Sequence, residues 1–591
     1  MTRTFLLLIV IALSSCKTEE KEKKIPFVTP FETSEGKETA NYKEVINFYM
    51  QLAKEFPEIN IQTIGETDSG FPLNLVIYNP DGDFNFQKIG KDKIIILINN
   101  GIHAGESDGI DATMLLYRNL ALEKLKTPKN TILATIPVYN IGGALNRNST
   151  TRANQNGPLE YGFRGNAQNY DLNRDFIKSE SKNAKTFATI FHLVKPDIFI
   201  DNHVSNGADY QYTLTHLFTQ HNKLGGPLGN YLHKEMMPKL ETSLANDNWD
   251  ITPYVNVFNK VPENGFSQFM DSPRYSTGYT ALWNTLGLMV ETHMLKPYKK
   301  RVEGTYALMN KMITIAETDI KKIKQLREDA FLKYTTQEKY TLQWAIDSTK
   351  TTTLKFKGYE ADTLISEVTG FPRLKYNQNR PFTKNVAYNN YFTPINTLEI
   401  PKGYLIKKGW SKIVDLFIQN NISYSVIKKD TTLTVESYKI DSYETKKEAY
   451  EGHYPHYNTK IKTSSKDIVF STGDYFVPTN QQGIRYIIET LEPEAVDSFF
   501  NWNFFDAILQ QKEDFSPYVF EDIALEILKK SNKLREAFLA KKETNKNFKD
   551  DWYAQLEWIY KHSKYYESAH LQYPVYRVLK NSDFNLNPKE D

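Results

Sequence analysis

Apolar positions in the first half of the chain alternate between two periods. Tyr42, Val45, Ile46, Phe48, Tyr49, Leu52, Ala53 and Phe56 recur at helical spacing until Pro57 ends the run, which predicts an amphipathic helix stopped where the backbone loses a donor. Ile59–Ile64 and Leu73–Tyr78 read as strands around the turn Asp68-Ser69-Gly70, an early hairpin. Ile94–Ile98, Thr131–Val138, Ile198–Asp201 and Leu286–Glu291 are short, nearly uninterrupted apolar runs, the pattern of strands covered on both faces. Between them, residues 108–120 (with Asp108 as the cap) and 178–194 read as helices, and a long helical stretch at 299–332 closes the region. Strands alternating with helices predict an α/β domain with a mixed, mostly parallel central sheet flanked by helices.

After about residue 333 the pattern shifts. Residues 340–400 are rich in Thr, Tyr and short β-like runs, while Tyr404–Ile406, 410–420 and Ile422–Ile427 could form one βαβ unit. Residues 485–590 are mainly helical and strongly aromatic. The expected organisation is an α/β domain at 40–332, a β-rich or mixed domain at 333–485, and a mainly helical region at 486–591. The last two together make a C-terminal α+β extension. A chain of 591 residues exceeds the roughly 250–300 that one core serves, so several units are expected.

The N-terminus changes this picture. Arg3 precedes the apolar run Phe5–Leu13, which ends in Ser14-Ser15-Cys16. That is a charged start, a short apolar core and a small-residue cleavage region, too short to serve as a membrane span. Leu13-Ser14-Ser15-Cys16 resembles a bacterial lipobox, so residues 1–15 are expected to be a lipoprotein signal peptide and Cys16 the lipidated residue. Cys16 is the only cysteine, which leaves no disulfide to staple the fold. The charged stretch Lys17–Lys24 suggests a flexible tether over 16–39. The expected location is the bacterial cell envelope, with the membrane reached only through the lipid.

Charge adds an exclusion. Lys+Arg number 73 against Asp+Glu 71, a net +2, which makes no electrostatic case for nucleic acid.

Sites in open sheets gather at the carboxyl ends of strands, and candidate chemistry sits at several of these ends. His103-Ala104-Gly105-Glu106 follows Ile94–Ile98 and the break Asn99-Asn100-Gly101. A histidine and a glutamate three apart can place nitrogen and oxygen on one zinc ion, with a third ligand elsewhere and a position left for water. Of eleven histidines, His203 also lies just past a buried strand. His192, His216, His221 and His233 read as surface residues, and His453 and His456 as an aromatic surface loop. Glu291 is a charge at the end of an apolar strand, either structurally paired or used as a base.

In this order and setting the residues resemble the zinc carboxypeptidase family, the carboxypeptidase A-like metallopeptidases, over about residues 40–320. The resemblance implies one zinc ion held by His103, Glu106 and His203, with Glu291 as general base. It implies Asn173 and Arg174, in Asp171-Leu172-Asn173-Arg174, as the clamp on a peptide's terminal carboxylate, a task that suits a guanidinium fork. An oxyanion-stabilising arginine is expected at Arg152, with Arg147 second, and a substrate-capping tyrosine at Tyr275 rather than Tyr279. Gly105 departs from members that carry an arginine before the ligating Glu. The region 333–591 has no counterpart in the digestive enzymes.

The implied function is zinc-dependent hydrolysis of the C-terminal peptide bond of peptides that end in a free carboxylate. Alternatives are a peptidoglycan stem-peptide hydrolase or amide deacylase of the same fold, or a non-catalytic peptide- or glycan-binding lipoprotein. Asp271 is a conceivable selector for basic side chains, although a solvent-facing loop acid is the expected reading. Oligomeric state is not legible.

Overall fold

The structure is a computed structural model that describes residues 27–581. The signal-peptide and Cys16 readings fall outside those residues. Strands β1 (Ile59–Glu66), β2 (Pro72–Tyr78), β3 (Ile94–Asn100), β4 (Thr131–Ile136), β5 (Ile198–Ser205), β6 (Leu214–Phe218), β7 (Ile251–Pro253) and β9 (Leu286–His293) form one sheet; the two-residue β8 (Phe266–Ser267) lies apart from it. Their order is β1-β2-β4-β3-β5-β9-β6-β7. The pairs β4–β3, β3–β5, β5–β9 and β6–β7 are parallel, and β1–β2, β2–β4 and β9–β6 are antiparallel. The sheet is therefore mixed and mostly parallel, as the apolar runs predict. The hairpin β1–β2 turns at Gly70, whose φ of +80° suits glycine.

Side-chain alternation along β3 explains why its run is continuous. Ile94, Ile96 and Ile98 face helices Tyr42–Glu55, Asp108–Ala121 and Tyr298–Thr336, whereas Ile95 and Leu97 face helix Lys182–Val194 through Phe187, Ile190 and Phe191. Both faces are dry, so both parities are apolar.

The second face continues into the extension. One buried cluster runs from Leu97 and Phe199 through Phe187, Tyr279 and Trp283 to Phe417, Tyr486, Phe499 and Phe500. The shift in composition near 333 thus marks the end of a long helix, with no break in packing there. The boundary drawn at 485 also fails to separate two units. Strands β10 (Lys339–Ile346), β11 (Thr352–Ile365), β12 (Pro372–Asn389), β13 (Phe392–Glu399), β14 (Gly403–Ile406), β15 (Ser425–Val426), β16 (Thr431–Thr445), β17 (His456–Phe470), β18 (Tyr475–Pro478) and β19 (Gln572–Val578) follow in the chain. Six of them form the sheet β15-β18-β14-β19-β16-β17. The late strand β19 lies between β14 and β16, inside the sheet of the preceding region. The expected βαβ unit exists in altered form: β14 and β15 are both antiparallel to β18, which lies between them. β12 pairs with β8, which ties the extension back to the α/β domain.

Two further expectations are corrected. The tether does not reach residue 39, because Phe31 is buried against Tyr298 and Glu32 binds Arg118 at 2.6 Å. An apolar anchor and a part-buried ion pair outweigh the charged composition upstream. Asp108 is not a cap: Ser107 holds that position, and the buried Asp108 carboxylate accepts from Thr292 and Arg301.

Candidate metal centre and active site

Three strand ends converge on one cavity. β3 ends at Asn100, and a turn closed by the Glu106 N–H donating to the His103 carbonyl (2.8 Å) precedes helix Asp108–Ala121. β5 carries His203 and β9 carries Glu291, and the parallel register sets these two side by side.

His103, Glu106 and His203 are all buried, and one ligand atom from each lies within 4.8 Å of the others. Nδ1 of His103 is 3.1 Å from Glu106 Oε1, and Nδ1 of His203 is 3.0 Å from Glu106 Oε2. Each ring is held from behind: His103 Nε2 donates to Asp171 Oδ1 (3.0 Å) and His203 Nε2 to Asp201 Oδ2 (2.9 Å). A carboxylate on Nε2 fixes the tautomer that presents Nδ1 inward. Two imidazole nitrogens and a carboxylate are a zinc donor set, so the residues fit one zinc ion. Sequence reasoning missed the two supporting acids. Their signal was available: Asp201 interrupts an apolar strand, and a buried charge requires a partner.

The charges around Glu106 are set by its neighbours. Burial works against the ionised form, but His103 and Arg152 outweigh it and hold the Glu106 carboxyl well below the usual carboxylate range. Burial likewise disfavours a charged His203, yet Asp201 and Glu106 raise it well above the ordinary imidazole value. Among the described residues, Glu291 has no such cation at hydrogen-bond distance. Burial, with Glu106 and Asp201 nearby, pushes its carboxyl up to about 8 against the partial opposition of His203.

The cavity, about 590 Å³, is lined by His103, Glu106, Arg152, His203 and Glu291 together with Asn173, Arg174 and Tyr275. Arg152 Nη2 donates to Glu106 Oε1 at 3.0 Å. Gly105 gives it room: a Cβ there would lie 2.3 Å from Arg152 Nε. The departure from the family pattern at 105 is thus matched by an arginine arm from another segment. Arg164, which the sequence reading passed over, also lines the cavity, with Nη1 3.8 Å from Glu106 and Nη2 2.8 Å from Asp171. The Arg174 guanidinium lies 4.5 Å over the Tyr275 ring, and the Asn173 side chain accepts from the Ser276 N–H. Tyr254 is a second aromatic on the wall.

Several candidates lie elsewhere. Arg147 donates to the carbonyls of Thr39 and Glu160, outside the cavity. Tyr279 is core, among Phe187, Phe191 and Trp283. His216 and His221 are buried, not surface residues; His216 pairs with Glu241 and His221 stacks on His233. His192 packs on Phe191 and Trp283. His453 binds Glu180, whereas the buried His456 binds Thr445 and Asp506. Asp271 is fully buried and does not line the cavity, so it is neither a solvent-facing acid nor a selector.

The zinc carboxypeptidase family model matches residues 45–193, the segment that holds His103, Glu106, Arg152, Arg164, Asn173 and Arg174. Carboxypeptidase 2 of Trichophyton rubrum is 20% identical over 441 residues, which cover 69% of this chain and 73% of that protein. Among solved structures, carboxypeptidase A of Helicoverpa armigera shares 14% identity at a TM-score of 0.36, covering 48% of this chain and 74% of that one. A metallo-carboxypeptidase of Pseudomonas aeruginosa shares 12% at 0.35, covering 48% and 69%. Residues 45–193 are thus similar to the zinc carboxypeptidases, and the α/β domain built on that segment brings His203 and Glu291 in from later strands beside it, with His103, Glu106 and His203 forming a cluster that could hold one metal ion.

Proposed function

We propose that the protein removes single residues from the C-terminus of peptides. The observation that carries this reading is the placement of Arg174 and Glu291 in the same cavity as the His-Glu-His cluster. A zinc ion held by His103, Glu106 and His203 would supply Lewis acidity, polarising a carbonyl and lowering a water's pKa to about 7. Glu291 would take the proton from the attacking water and pass it to the leaving amine. Arg152, with Arg164 lining the same cavity, would stabilise the negative charge that develops on the carbonyl oxygen. Arg174 and Asn173 would bind the terminal α-carboxylate, and Tyr275 would cover the bound residue.

A mixed peptide library followed by mass spectrometry tests the reading. Stepwise loss of single C-terminal residues, abolished by a chelator and restored by zinc, is the expected result. Internal cleavage, or no dependence on metal, would refute it.

For location, we infer a lipid anchor at Cys16 in a bacterial envelope, on the support of the lipobox-like Leu13-Ser14-Ser15-Cys16. Labelling of cells with a fatty-acid analogue should mark the protein, and Cys16→Ala should remove the label.

A further inference from the structure

The turn between β16 and β17 reaches from the extension into the carboxylate clamp. Tyr450 and His453 face each other across it, with the Tyr450 N–H donating to the His453 carbonyl at 2.8 Å. Glu451 (φ 51°) and Gly452 (φ 78°) make the bend, the pairing of left-handed residues that a tight hairpin turn needs. The tip is pressed against the α/β domain. A Cβ on Gly452 would lie 3.0 Å from the Tyr170 ring, and His453 Nε2 is 2.7 Å from Glu180. Glu451 Oε2 accepts from the Asp171 N–H at 2.7 Å, and Asp171 is the acid behind His103.

Arg174 is held on three sides. Its Nε donates to the Tyr450 hydroxyl oxygen at 2.9 Å, its Nη1 donates to the Asn173 carbonyl at 2.9 Å, and its plane lies over Tyr275. Nη2 makes no hydrogen bond among the described residues. The extension also fixes the neighbouring segment, because the Arg274 N–H and Nε donate to the buried Asp497 at 2.9 and 2.7 Å. A guanidinium can meet a carboxylate along its Nε/Nη2 edge or its Nη1/Nη2 edge. With Tyr450 on Nε, and with the Asn173 carbonyl at 2.9 Å and Asp171 Oδ2 at 3.8 Å from Nη1, the guanidinium of this cavity-lining arginine is fixed with Nη2 left for a ligand.

We propose that Tyr450 is a positioning residue for Arg174, so that the extension completes the carboxylate-binding site of the α/β domain. This rests on the clamp reading above. Without the hydroxyl, the guanidinium keeps its charge but loses its fixed edge, and a substrate must supply the ordering on binding.

The test uses the full, zinc-loaded chain carrying Tyr450→Phe. KM for a peptide with a free C-terminal carboxylate should rise about tenfold, as for one lost hydrogen bond to a charged group, with kcat held within about twofold. Calorimetric affinity for 3-phenylpropanoate, a simple carboxylate, should fall by the same factor. Zinc content and affinity for acetohydroxamate, which binds the metal and carries no carboxylate, should stay unchanged. Unchanged KM and carboxylate affinity would overturn the proposal, as would a parallel loss of zinc or hydroxamate binding, which marks a merely structural residue. If the wild type binds 3-phenylpropanoate but releases no C-terminal residue, the exopeptidase reading fails while the carboxylate affinities still decide the role of Tyr450.

Discussion

Glu291 and His203 are paired across adjacent strands yet carry opposite electrostatic fates. Burial keeps the Glu291 proton up to about 8, whereas a dication beside it would favour the carboxylate. Zinc loading should therefore shift Glu291 toward the ionised form that a base needs. The rate should fall on the acid side as Glu291 regains its proton, and Glu291→Gln should lower kcat by roughly 10²–10⁴-fold and abolish that acid limb, with zinc content retained. A pH–rate profile of kcat for both forms checks this. His203 is raised by Asp201 and Glu106, but a ligating imidazole must be free of its Nδ1 proton. Zinc binding should accordingly release protons and weaken as the pH falls, which calorimetry in buffers of different ionisation enthalpy measures. Residues such as His103 and Glu106 were legible because one local turn brings them together. Asp171 and Arg164 were not singled out, since they reach His103 and Glu106 from some 60 residues away, whereas Asp201, two residues before His203, carried a local signal that was passed over.

Among elements, the strands of the central sheet were the most legible, because burial on both faces writes an unbroken apolar run. β6 and β7, and the helices between residues 221 and 245, escaped notice. β6 contains Thr215 and His216, polar residues that break such a run and are satisfied by the Glu291 carbonyl and by Glu241. The segment at 27–39 was misread because charged residues upstream suggested a tether. Phe31→Ala should remove about 3–5 kcal/mol of stability, as large aromatic truncations in a core do, lowering the urea midpoint while KM stays unchanged. At the turn before helix Asp108–Ala121, Gly105→Ala should displace the Arg152 arm, since the added Cβ would meet Arg152 Nε. The expected outcome is a fall in kcat of about tenfold or more with zinc still bound, as for a weakened oxyanion donor.

Among the described residues, a continuous buried cluster links sheet and extension, and β19 fills a place between β14 and β16. A chain cut after residue 485 would lose that strand along with Asp497, Phe499 and Phe500. It should fail to accumulate as soluble protein and should retain no zinc; a soluble, zinc-binding product would show that the extension is dispensable to the fold. The amino-acid sequence by itself determined the mixed α/β architecture, and it singled out His103, Glu106 and His203 as candidate metal ligands in an order that resembles the zinc carboxypeptidases. The architecture follows from local periodicity, and the candidate ligands from residue types at strand ends. Only the tertiary structure decided which arginines reach the cavity, that Asp171 stands behind His103, and that a turn some 280 residues away holds Arg174. Such contacts depend on how distant segments pack, and no local pattern along the chain encodes them.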